Sequence, residues 1–137
     1  ELPDNCSLHI VTEYMLANPT VSNKMFLFSK LTHFWGSMDA FLKRGLGYVI
    51  IDAEEIVSLC YSGFVAGTIH AIDIETDQSH RRKGFGEAAA GGFLAECIEK
   101  HLQPHWDCMA ENIASVHLAE KLGFSRSYKY ALYSFQL

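Results

Sequence analysis

The sequence predicts a mixed α/β (α+β) domain, a mostly antiparallel central sheet flanked by helices, and three observations predict it. Three consecutive runs rich in β-branched and aromatic residues, Tyr48 to Ile51, Ile56 to Val65 and Thr68 to Glu75, are separated by short breaks and read as an antiparallel meander. The following segment, Gly84 to Leu102, lacks proline and sets Phe85, Ala89, Phe93, Cys97 and Ile98 at helical spacing. A chain of 137 residues, 49% hydrophobic and 20% charged, suits one domain with a real core and leaves no room for a second.

Taken in order, Leu8 to Thr12 reads as a strand and Val21 to Leu31 as helical. Ser37 caps a short helix through Arg44, with Phe41 and Leu42 facing the core and Gly45 as its stop. The meander is broken by the acidic turn Asp52 to Glu55 and followed by a charged loop, Asp77 to Lys83. The long helix begins with Ala88-Ala89-Ala90-Gly91-Gly92, and each interior glycine costs about 1 kcal/mol relative to alanine, so close packing must offset it. Pro104 ends the helical region and Trp106 to Met109 reads as a buried strand. Asn112 caps a helix from Ile113 to Leu122, Gly123 suits a left-handed stop with Phe124 as its apolar contact, and Ser127 to Leu137 reads as a final strand.

Composition narrows the function. The longest apolar stretches, Leu46 to Ile51 and Ala88 to Ala95, are far shorter than the roughly 18–20 residues of a membrane span. A net charge of −5 argues against binding a nucleic-acid backbone and is compatible with a cationic substrate. The four cysteines form no C-x-x-C pair and the seven histidines no H-E-x-x-H, so neither disulfides nor a metal is expected, and the setting reads as cytoplasmic. The start, Glu1-Leu2-Pro3-Asp4-Asn5, has no initiator Met and no secretion signal, which fits a chain cut from the C-terminal part of a longer protein.

Chemistry concentrates in Arg81-Arg82-Lys83-Gly84-Phe85-Gly86, between a strand and the start of the long helix. A helix start offers unpaired N–H groups and a partial positive charge, glycines admit an anion close to the backbone, and Arg or Lys add charge-assisted hydrogen bonds. The loop therefore suits a phosphate or pyrophosphate; the alternative is a solvated turn. Gly84-Phe85-Gly86-Glu87-Ala88-Ala89 also fits G-x-G-x-x-A, but a dinucleotide fingerprint needs a tight turn from a first parallel strand, and a meander stands here instead.

The pattern R-x-x-G-x-G after a strand, followed by Asn112-x-x-Ser115-x-x-Leu118-Ala119-Glu120-Lys121-Leu122-Gly123-Phe124, resembles the GNAT superfamily of N-acetyltransferases. Asp73-Ile74-Glu75-Thr76-Asp77, Arg81-Arg82-Lys83-Gly84 and Pro104-x-Trp106-Asp107 are similar to the zwittermicin-resistance-type branch. The resemblance implies acetyl-CoA as co-substrate and a small-molecule amine as acceptor, with no metal, and a homodimer is compatible with it. It implies that Arg81 opens the motif, that Arg82, Lys83, Gly84, Phe85, Gly86 and Glu87 cradle the pyrophosphate, and that Ile74 to Thr76 pair their backbone with the pantetheine arm. Asn112, and more weakly Ser115, would bond the pantetheine amides, the alternative for Asn112 being a plain helix cap.

Acetyl transfer also needs a base for the ammonium and an acid for the thiolate. The resemblance puts a base at His70, whose alternative is a satisfied core histidine; Glu75 is the second candidate, on the opposite face by strand alternation. Asp73 and Asp77 share the face of Glu75. Many relatives carry a proton-donating tyrosine where this chain has Ala119, leaving solvent, Tyr128 or Tyr130 as donors. A non-catalytic acyl-CoA-binding or regulatory domain is the competing reading.

Overall fold

The computed structural model describes residues 2–126. Its elements are β1 (Cys6–Ile10), α1 (Glu13–Ala17), α2 (Lys24–Trp35), α3 (Met38–Arg44), β2 (Gly47–Asp52), β3 (Glu55–Ala66), β4 (Ile69–Thr76), α4 (Phe85–Glu99), β5 (Gln103–His105) and α5 (Ile113–Lys121), with a 3-10 turn at Gln78–His80. Strands β1 to β4 form an antiparallel meander, and β5 adds to β4 in parallel.

Both faces of the sheet are covered, as the near-continuous apolar runs of β2 and β3 require. On one face Leu27 and Leu31 of α2 and Phe41 of α3 pack against Val49, Ile51, Leu59 and Tyr61. On the other, Phe85, Ala89, Ala90, Phe93 and Cys97 of α4 pack against Ile50, Val57 and Cys60. Gly63 is left without a partner between Ser62 and Phe64 in β3, a bulge that lies in the same ladder as β4.

The two adjacent glycines of α4 have different reasons. A Cβ on Gly92 would lie 2.8 Å from Leu8 Cδ2 and 2.9 Å from Tyr48 Cδ1, so its absence lets the helix settle onto β1 and β2. A Cβ on Gly91 would meet nothing within 4 Å.

Local signals placed the caps well. Ser37 Oγ accepts from Ala40 N at 3.2 Å and Asn112 Oδ1 from Ser115 N at 3.2 Å, while Gly123 takes φ +101°. Elsewhere tertiary context moved the boundaries. The first strand is Cys6–Ile10 rather than Leu8 to Thr12, because Thr12 is the cap of α1 and accepts from Met15 N at 3.1 Å. Helix α4 stops at Glu99, with His101 in the left-handed region at φ +56° and Leu102 N bonded to Cys97 O.

The strand expected at Trp106 to Met109 lies instead at Gln103–His105. Pro104 is accommodated because β5 is an outer strand of the described sheet, where a missing N–H is tolerated. Trp106 turns toward α5: its Nε1 donates to Ser115 Oγ at 3.2 Å, and its ring lies 5.4 Å from that of Phe124. The strand expected at Ser127 to Leu137 lies outside the described residues, as do Tyr128 and Tyr130.

Candidate functional site

The parallel pairing of β4 with β5 covers only Ile69–Ala71 on Gln103–His105, yet β4 runs on to Thr76. Past Ala71 the two strands diverge, so Ile72 to Thr76 have no partner strand on that side among the described residues. The result is an opening between the meander and Gln103–His105, the strand that stands in place of Trp106 to Met109.

The basic loop stands at that opening. Arg82 and Gly84 take φ +66° and +78°, and two left-handed residues turn the chain sharply into α4. Gly84 is the N-cap and no side chain caps this end, so the first N–H groups of the 15-residue α4 keep their capacity for an anion. Arg81, Arg82 and Lys83 are exposed, and Arg81 Nε donates to Thr76 O at 3.2 Å, tying the loop to the end of β4. Gly86 lies against that strand: a Cβ there would sit 3.3 Å from Ile74 Cγ2 and 3.5 Å from Thr76 Oγ1. Phe85 is buried in the core and anchors the helix, and Glu87 pairs with Lys121 of α5 at 3.0 Å.

His80 is a further anchor that the charged loop did not reveal. Its Nδ1 lies 3.0 Å from Asp77 Oδ2, and its Nε2 lies 3.7 Å from Asp52 and 3.8 Å from Glu55, the two ends of the β2–β3 turn. Its ring lies 6.3 Å from Phe85. Hydrogen bonds from Ser79 and His80 hold the Asp77 carboxyl below its ordinary value. The residues preceding Arg81 are thus fastened to the sheet.

Asn112 and Ser115 share one turn, as expected, but both are engaged. Asn112 Oδ1 takes the Ser115 N–H, and Ser115 Oγ takes the Trp106 indole N–H. Among the described residues the Asn112 amide nitrogen has no acceptor. Ala119 is buried, and its carbonyl accepts from Phe124 N at 3.0 Å.

The two expected bases lie on opposite faces of β4. His70 is 5% exposed, on the α4 side, with Nδ1 2.7 Å from Ser62 Oγ, which in turn bonds Leu46 O at 3.2 Å. Burial pushes its pKa below 6.5. Asp73 and Glu75 face α2 and line a cleft of about 450 Å³ with Ser29, Lys30, His33 and Phe34. Lys30 Nζ lies 3.8 Å from Glu75 Oε1, and Tyr61 Oη donates to Asp73 Oδ2 at 3.2 Å. Burial raises the Tyr61 pKa, with the Asp73 charge adding to it. Ile74 N donates to Asp73 Oδ1 at 2.9 Å. Lys30, His33 and Tyr61 carried no readable signal in the sequence, since only the packing of α2 on the sheet brings them to β4.

A sheet that splays beside the N-terminus of a long helix, with a cationic loop at the mouth, is the architecture of the acyl-CoA N-acyltransferase fold. The chain matches the GNAT acetyltransferase description over residues 1–133 and belongs to that family. It is 30% identical over 133 residues to the uncharacterized N-acetyltransferase YdfB of Bacillus subtilis (strain 168), covering 97% of this chain and 49% of the relative. A GCN5-related N-acetyltransferase-like protein from Streptococcus suis 89/1591 is 27% identical, with a TM-score of 0.74 over 90% of this chain and 47% of that one. The chain thus spans about half the length of these relatives. The fold is also that of the spermidine N-acetyltransferase of Vibrio cholerae, at a TM-score of 0.65 and 17% identity over 92% of this chain and 82% of that one. It is shared by AAC(6')-Iy in complex with the bisubstrate analog CoA-S-monomethyl-acetylneamine, at a TM-score of 0.68 and 12% identity over 96% of this chain and 99% of that one.

Proposed function

We propose that this chain is a single acetyltransferase domain that binds acetyl-CoA at the splay of β4 and α4 and acetylates a primary amine of a small molecule. The observation that carries the reading is the coincidence of three features at one place: a strand edge unpartnered among the described residues, a helix start with no side-chain cap and three exposed cations. The residues fit the cofactor, because Gly86 leaves room beside Ile74 and Thr76 where a larger side chain would intrude.

In this reading Arg82, Lys83, Gly84, Phe85, Gly86 and Glu87 receive the pyrophosphate on their backbone N–H groups, with Arg81 holding the loop to Thr76. Ile74 to Thr76 offer their backbone to the pantetheine arm as a neighbouring strand would. Asn112 contributes its amide nitrogen, and Ser115 acts by fixing Asn112 and Trp106. Bound acetyl-CoA supplies an activated acetyl thioester. Glu75 takes the ammonium proton of the acceptor in the α2–β4 cleft, while Asp73, held by Tyr61 and the Ile74 N–H, adds negative potential.

Glu75 is preferred to His70 because it opens into the cleft, whereas His70 is enclosed by the core and bonded to Ser62. With Ala119 in place of a tyrosine, the proton for sulfur comes from solvent, Tyr128 or Tyr130 instead. The free thiols and the acetyl-CoA requirement suit the cytoplasm, and the Asp73–Asp77, Arg81–Gly84 and Pro104–Asp107 segments support the zwittermicin-resistance-type branch.

Isothermal titration with acetyl-CoA, followed by thiol release across an amine panel, tests the reading. Binding with thiol release supports it. Binding without release for any amine favours a regulatory acyl-CoA-binding domain, and absence of binding overturns the cofactor assignment.

A further inference from the structure

We propose that the acceptor is a zwitterion, a small primary amine that also carries a carboxylate, and that Lys30 reads the carboxylate. The inference rests on the acetyl-transfer reading of the same site and deepens it by fixing the acceptor class.

The charges of the α2–β4 cleft are segregated by element. Asp73 and Glu75, two apart on β4, present their carboxylates from the sheet, whereas Lys30 and His33, three apart on α2, stand across from them. Asp73 is committed, one oxygen to Tyr61 and the other to the Ile74 N–H. Among the described residues the Glu75 carboxylate is held only by Lys30, at 3.8 Å. That separation exceeds the roughly 2.7–2.9 Å of a direct ammonium–carboxylate hydrogen bond, and Lys30 makes no hydrogen bond among the described residues.

A loose ion pair, not closed by a hydrogen bond, in a half-open cleft favours a ligand bearing the complementary pair. An incoming ammonium takes Glu75, and a carboxylate on the same molecule takes Lys30, so both charges of the pair are matched once the ligand displaces water. A polyamine instead sets a second ammonium against Lys30. The ring of Phe34, 51% exposed and 5.9 Å from that of Tyr61, gives the carbon skeleton an apolar wall. The acceptor is therefore of a different charge type from spermidine or an aminoglycoside.

The test is binding of matched pairs differing only in a carboxylate: L-phenylalanine and phenethylamine, L-leucine and isoamylamine, L-ornithine and putrescine. Binding is read by saturation-transfer NMR and titration on the full chain, with and without coenzyme A. At least one amino acid is expected to bind about fivefold or more tighter than its amine partner, the scale of one exposed charge contact. Lys30→Met abolishes that preference and Lys30→Arg retains it. Equal or tighter binding of the plain amines, no amino acid binding in any condition, or a preference that survives Lys30→Met overturns the proposal. Coenzyme A affinity in the same samples reports separately on the acetyl-transfer reading: its absence, with the amino-acid preference intact, defeats that reading alone.

Discussion

Two neighbouring glycines in α4 should respond to alanine with opposite signs. Both changes gain helix propensity, about 0.8–1 kcal/mol each, because alanine loses less backbone freedom on folding. At Gly91 the added methyl is exposed and meets nothing within 4 Å, so the full gain is expected and the thermal midpoint rises by about 3–5 °C. At Gly92 the same methyl arrives 2.8 Å from Leu8 Cδ2 and 2.9 Å from Tyr48 Cδ1. Leu8 can swing away at its tip, but the Tyr48 ring is held by its hydroxyl, which donates to Glu96 Oε1 at 2.9 Å on the same helix. The helix must therefore move off the sheet by several tenths of an ångström, and overpacking of this kind costs about 1–3 kcal/mol. The propensity gain covers only the lower part of that range. We expect Gly92→Ala to be destabilised by about 1 kcal/mol, read from urea titration with an unchanged slope. A Gly92→Ala protein as stable as Gly91→Ala would refute the claim that Gly92 exists for close approach.

The site yields further expectations. Gly84→Glu places a carboxylate at the uncapped start of α4 and imposes φ +78° on an L residue; acetyl-CoA affinity should fall by about tenfold or more, and Gly84→Ala separates the backbone strain from the charge. Unchanged affinity in a folded Gly84→Glu protein would remove the loop assignment. His80→Ala unfastens the loop from Asp52, Glu55 and Asp77, and titration should show acetyl-CoA binding weakened by about threefold, the scale of one partly exposed ion pair. Burial depresses the folded pKa of His70 below its unfolded value of 6.5, so the unfolded chain binds more protons between the two values. Stability is therefore complete above pH 6.5 and is lost as pH falls through the folded value. Thermal midpoints of the native chain should drop more steeply below pH 6.5 than those of His70→Gln, and superimposable curves would contradict this.

Sequence alone determined what depends on neighbours along the chain. The three meander strands, the long helix, the Ser37 and Asn112 caps and the Gly123 stop are local propensities and local hydrogen bonds, and the folded structure keeps them. The Arg81–Gly86 loop was singled out for the same reason, since a helix start flanked by glycines and cations suits an anion wherever it folds. Tertiary structure decided the rest. Gln103–His105 became the fifth strand, despite Pro104, because Thr68 O was there to receive Gln103 N and Trp106 was drawn toward Ser115 and Phe124. Which base candidate faces the cleft followed from where α2 packs: Lys30, forty-five residues before Glu75, reaches it only because α2 lies over β4, while His70 is buried against Ser62. Long-range contacts of this kind carry no period or spacing in one dimension, because each depends on the packing of two elements whose patterns record only that each has an apolar side.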